Sequence, residues 1–157
     1  MAESLTFLMG KFEAVLPGDL RYAVKNHMWC RAAGDRLRFG FTSFAVRLMK
    51  DVYFLDWSVN ADDRVRHLQE IGHIETSKAE SDLFAPVSGT VAEFNQELLK
   101  DPSAINVDNY GAGWLFDIVP DRADPGPLLS VAEYHQFLAD NWEKIQRQLK
   151  GQVNRED

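Results

Sequence analysis

The sequence predicts a mostly β chain: short antiparallel strands, a few short helices and one longer helix near the C-terminal end. Three observations lead there. Apolar residues alternate with polar ones in short runs, as in Leu37, Phe39 and Phe41 or Trp114, Phe116 and Ile118, the pattern of half-buried strands. Gly34-Asp35, Asp62-Asp63, Ser88-Gly89 and Gly111-Ala112-Gly113 break the chain at short intervals, which suits antiparallel strands better than βαβ units. From residue 130 the period changes to that of a helix.

Taken in order, residues 4–16 place Leu5, Leu8, Phe12, Val15 and Leu16 at helical spacing. Ser4 stands as a cap and Pro17-Gly18 as a stop, so a helical extension over residues 1–19 is expected. Gly10 argues against it, since glycine inside a helix costs about 1 kcal/mol relative to alanine. Strands follow from Tyr22. Short helices are expected near Thr42–Leu48 and Gln96–Lys100, the second capped by Asn95. Ser130-Val131-Ala132-Glu133 is a capping-box pattern, and Tyr134, Phe137, Leu138, Trp142, Ile145 and Leu149 continue it on one face. Lys144, Arg147 and Lys150 fit the negative end of that helix dipole, Gly151 its stop, and residues 151–157 a frayed tail.

Bulk properties narrow the function. The 157 residues fit one domain, and 45% apolar with 26% charged residues is an ordinary globular balance. A formal net charge of −7 with scattered Lys and Arg gives no field for nucleic acid. No apolar stretch is long enough to span a bilayer, and Glu3, Glu13 and Asp19 make the first twenty residues too acidic for a transit peptide, so a cytoplasmic protein is expected. Cys30 is the sole cysteine, which rules out an internal disulfide; it reads as a small buried hydrophobe. His27, His67, His73 and His135 lack metal-ligand spacing, and no metal is expected. Trp29, Trp57, Trp114 and Trp142 read as packing residues.

The most informative stretch runs from Glu75 to Val91. Lys78 sits among small and acidic residues in what reads as a tight turn between two strands. Through Glu75, Lys78, Ala79, Ser81, Asp82, Leu83, Pro86, Val87, Ser88 and Gly89 it resembles the lipoylation site of the glycine cleavage system H proteins. The likeness extends to His27-Met28-Trp29, Gly40-Phe41-Thr42 and Lys50-Asp51-Val52, then to Asn95, Leu98, Asp101-Pro102, Ile105-Asn106, Tyr110-Gly111, Gly113-Trp114-Leu115 and Glu133-Tyr134. It covers about residues 20–140.

The resemblance implies a lipoyl-domain-type barrel-sandwich hybrid of two antiparallel sheets over residues 20–150. Lipoic acid would be joined to Lys78 at a hairpin tip, with Glu75 and Asp82 as functional neighbours. A carrier lysine has to be exposed yet project from a rigid support, and a hairpin supplies both. The redox chemistry is the cofactor's own. Biotin carriers flank their lysine with Met, whereas Lys78 lies between Ser77 and Ala79.

The implied partners are a lipoate-attaching enzyme, glycine decarboxylase, aminomethyltransferase and dihydrolipoamide dehydrogenase, and the chain itself would be a carrier rather than an enzyme. Two alternatives stand beside this reading. One is a paralogous lipoate carrier in heterodisulfide-reductase-like sulfur oxidation, the other an unmodified interaction protein on the same scaffold. The family's arm-binding cleft has a Ser, a Glu and a His where this chain has Asn26, Met28 and Leu48; Asp82 is kept. Those departures remove partners that a buried ammonium would need. Lys50 where Gly is usual and Ser58-Val59-Asn60 in place of a Pro-Gly turn are further departures.

Overall fold

The computed structural model describes residues 3–122 and 127–156. Its elements in chain order are β1 (Leu5–Met9), β2 (Phe12–Leu16), β3 (Arg21–Ala23), β4 (Met28–Ala33), β5 (Arg36–Phe41), α1 (Ser43–Met49), β6 (Val52–Trp57), β7 (Arg64–Val65), β8 (Glu70–Thr76), β9 (Glu80–Phe84), β10 (Gly89–Phe94), α2 (Gln96–Lys100), α3 (Ala104–Val107), β11 (Phe116–Pro120) and α4 (Val131–Glu156). They form a six-stranded sheet of order β3-β4-β5-β11-β10-β7 and a three-stranded sheet of order β6-β8-β9, each antiparallel, as expected, and a separate hairpin β1-β2.

That hairpin corrects the helix expected over residues 4–16. Apolar residues there satisfy two periods at once, and the period of two prevails: Phe7, Met9, Ala14 and Leu16 are buried, while Leu8 and Val15 are exposed. Gly10, at φ +65°, opens the two-residue turn between Met9 and Phe12, a conformation that glycine adopts without steric cost. The buried face packs on α1 and α4.

The helices follow their capping residues. Thr42 accepts from the Ala45 N–H at the start of α1, and Asn95 accepts from the Glu97 N–H at the start of α2. The capping box before α4 forms in both directions, Ser130 N–H to Glu133 Oε1 at 2.8 Å and Glu133 N–H to Ser130 Oγ at 3.2 Å. The one-turn α3 has no counterpart in the expectations from sequence. The stop expected at Gly151 is not made: α4 continues to Glu156, because one glycine weakens a helix without breaking it. The side chains from Leu149 onward, and Asp157, lie outside the described residues.

Two cores lie on opposite sides of one sheet. Met28 and Cys30 point into the core between the two large sheets, with Phe39, Phe41, Ile74, Leu83 and Phe116; Trp29, between them in β4, points the other way, to Tyr22, Phe44, Tyr134 and the hairpin. Opposite Trp29 is Gly40, where a Cβ would come within 2.5 Å of the indole. The indole fits because that position is glycine.

Candidate functional site

Lys78 lies in the three-residue connection Ser77-Lys78-Ala79 between β8 and β9, and is exposed. The tip around it is held by its own neighbours. Thr76 Oγ1 donates to the Ala79 carbonyl at 2.9 Å and accepts from the amides of Lys78 and Ala79 at 3.3 and 3.1 Å. Ser77 N–H donates to the Asp51 carbonyl at 2.9 Å, and Asp51 N–H returns to Ser77 Oγ at 3.1 Å. The lysine therefore projects from backbone that is tied down on both sides, which limits the conformational freedom of its base without covering its ammonium.

Below the tip, one face of the hairpin carries two cross-strand pairs, Glu75 opposite Glu80 and His73 opposite Asp82. Both Glu75 and Asp82 thus stand on the strand pair that presents Lys78. His73 Nδ1 is 3.2 Å from Asp82 Oδ1, and its Nε2 is 3.7 Å from Glu75 Oε1. The hydrogen bond to Asp82 raises the imidazole pKa, with the charges of Asp82, Glu75 and Glu80 adding to it. Ligand atoms of His73, Glu75 and Glu80 lie within 4.8 Å of one another, a grouping that sequence spacing misses because Glu80 comes from the neighbouring strand. Exposed acidic groups often gather this way with no ion bound, and the cluster carries no metal assignment.

The three substituted cleft positions do not come together. Met28 is sealed in the core between the sheets, and Leu48 packs with the second core, under the N-terminal hairpin. Asn26, at φ +62°, turns its carboxamide to the main chain of β9, donating to the Asp82 carbonyl at 3.1 Å and accepting from the Phe84 N–H at 3.0 Å. Met28 and Leu48 thus line no shared apolar surface for a cargo.

Other singled-out residues have structural settings. His27 is packed against Phe44 with Nδ1 at 2.9 Å from the Tyr134 hydroxyl, and burial pushes its pKa down to about 4. The Cys30 thiol is buried and pushed up to about 12, chiefly by desolvation, so it is a packing group and a poor nucleophile. Lys50 sits at φ +63°, where its carbonyl accepts from Asn106 Nδ2 at 2.6 Å; desolvation, then Arg47 and Lys78, lower its pKa. The four tryptophans pack as expected: Trp29 is fully buried and donates to the Asn109 carbonyl, while the others are half-buried against aromatic or cationic neighbours.

The family model of the glycine cleavage H-protein matches residues 20–141, a span that includes both large sheets and the Lys78 hairpin. The chain belongs to the glycine cleavage H-protein family. It is 39% identical over 124 residues to a probable glycine cleavage system H protein of Natronomonas pharaonis, covering 79% of this chain and 97% of that one. It is 34% identical over 131 residues to the H protein of Carboxydothermus hydrogenoformans, covering 83% and 99%. Among solved structures, an H protein of Mycobacterium marinum superposes with a TM-score of 0.68 at 35% identity, over 80% of this chain and 98% of that one. This member of the glycine cleavage H-protein family is thus a carrier of the H type on a mostly β scaffold. The matches favour that role over the sulfur-oxidation and interaction-protein alternatives. The N-terminal hairpin and the far end of α4 lie outside the family-matched span.

Proposed function

We propose that Lys78 carries lipoic acid in amide linkage and that the arm shuttles an aminomethyl group between the enzymes of glycine cleavage. The observation that carries this reading is an exposed lysine at a tied hairpin tip, inside the span matched by the family model. Held on Lys78, lipoate would supply the redox-active dithiolane that serves as the cargo-binding group. The chain contributes the anchor nitrogen, a fixed point of departure and the surface that partners recognise. Glu75 and Asp82, with His73 between them in space, form the charged flank beside which the attaching enzyme docks.

The partners under this proposal are the lipoate-attaching enzyme, glycine decarboxylase, aminomethyltransferase and dihydrolipoamide dehydrogenase, and the chain is their substrate rather than an enzyme. We place it in the cytoplasm; no described helix is long and apolar enough to cross a membrane. Protein taken from cells supplied with lipoate should show one added lipoyl group by intact mass, mapped to Lys78 by peptide sequencing and absent in Lys78→Arg. Lys78 bare in lipoylation-competent cells would sink the proposal. A lipoylated protein that glycine decarboxylase cannot load would remove the aminomethyl cargo and leave the carrier.

A further inference from the structure

The strand that leads away from Lys78 is fastened by a side chain. β9 is the outer strand of the three-stranded sheet, paired with β8 on one edge. On its other edge, Asn26 Nδ2 donates to the Asp82 carbonyl at 3.1 Å and Oδ1 accepts from the Phe84 N–H at 3.0 Å. Those backbone groups flank one residue of the strand, and a parallel neighbouring strand would meet them with the N–H and C=O of a single residue. The carboxamide offers the same donor and acceptor, so it acts as one residue of a missing strand. The adjacent Lys25 places its Nζ 4.6 Å from the centre of the Phe84 ring, a second contact from the same turn.

The turn is shaped for this. Asn26 and His27 both hold positive φ, +62° and +51°, between β3 and β4 of the six-stranded sheet. Asparagine is among the few residues that tolerate this region. The His27 ring is anchored at Tyr134, so the turn that presents Asn26 is itself pinned to α4. A connection therefore runs from the rigid sheet, through one carboxamide, to the strand that ends at Glu80, two residues from Lys78.

We infer that Asn26 is a positioning residue for the carrier lysine: its carboxamide clamps the outer strand of the hairpin to the six-stranded sheet and so fixes the direction in which residue 78 leaves the molecule. The inference rests on Lys78 being the lipoylated residue. An edge strand held on one side only opens locally at low free-energy cost, and an enzyme that must capture one lysine in one geometry is sensitive to that motion.

Asn26→Gly isolates the clamp, because glycine takes a φ of +62° freely and only the amide is lost. Asn26→Asp keeps the acceptor for the Phe84 N–H and places a carboxylate oxygen against the Asp82 carbonyl. Full-length protein is assayed with a lipoate-attaching enzyme, lipoate and ATP, and the Phe84 amide is followed by hydrogen exchange. The Gly variant should exchange Phe84 about tenfold faster and lose about tenfold in kcat/KM for lipoylation, mostly through KM, at temperatures where it is fully folded; the Asp variant should fall between it and wild type. A purely structural bond would lower the melting temperature and leave KM and kcat of the folded protein unchanged. That result in Asn26→Gly, or in Asn26→Asp should the first not fold, overturns the inference while the carrier reading stands. Wild-type protein that accepts no lipoate overturns both.

Discussion

His27 shows how one buried group sets a pH limit on the whole fold. Its ring lies against Phe44, with Nδ1 2.9 Å from the Tyr134 hydroxyl, which in turn is 3.1 Å from Thr42 Oγ1. Burial lowers its pKa from 6.5 to about 4, so the folded state resists a proton that the unfolded chain accepts readily. The stability it supports is fully present above pH 6.5 and is lost as the pH falls toward 4, on the order of 3 kcal/mol over that window. His73 has the opposite sign, since its raised pKa favours the folded state at low pH; its solvent-screened contacts offset little of the loss. In urea titrations the wild type should lose on the order of 3 kcal/mol between pH 7.5 and 4.5. His27→Asn, which tolerates the positive φ, should start lower at pH 7.5 and lose much less over the same interval. Equal losses in both proteins would assign the acid limb to other groups.

At the level of elements, the hairpin tip depends on one hydroxyl. Thr76 Oγ1 meets the Ala79 carbonyl and two amides, so Thr76→Val keeps the shape and leaves those amides without their acceptor. A loss of about 1 kcal/mol is expected, together with roughly fivefold faster exchange of the Lys78 and Ala79 amides; unchanged exchange would show that the β8-β9 pairing and the Ser77–Asp51 bonds hold the tip without the hydroxyl. The parts of this site that sequence made legible are the contiguous ones. Glu75, Lys78 and Asp82 lie within one short stretch, and the capping residues Thr42, Asn95 and Ser130 act on amides two or three positions away. Asn26 and Asp51 were invisible as supports because their partners are distant: Asn26 reaches β9 across 56 positions, and Asp51 meets Ser77 across 26. The β1-β2 hairpin is hidden in the sequence for a related reason. Its apolar residues fit both periods, and the choice between them is made by α1 and α4, which supply the surface that the strands cover.

For the whole molecule, the question is whether the layer outside the family-matched span is a separable addition. Phe7 of β1 packs edge-on against Phe44 of α1 and Trp142 of α4, at centroid distances of 5.8 and 5.6 Å, and Tyr22 stacks on Tyr134 at 4.6 Å. The same sheet that receives these groups on one face carries Met28, Cys30 and Phe39 into the other core. Close packing transmits strain across a shared wall, so loosening one face should destabilise both. Phe7→Ala is expected to cost about 3 kcal/mol and lower the melting temperature by roughly 6–12 °C. Scanning calorimetry should still give one transition, with calorimetric and van't Hoff enthalpies equal. Two resolved transitions would instead mean that the hairpin and the end of α4 melt as a cap, leaving the sheets that hold Lys78 intact. In that event the added layer could be removed without disturbing the carrier hairpin, whereas a single transition makes residues outside the family span part of what keeps Lys78 in place.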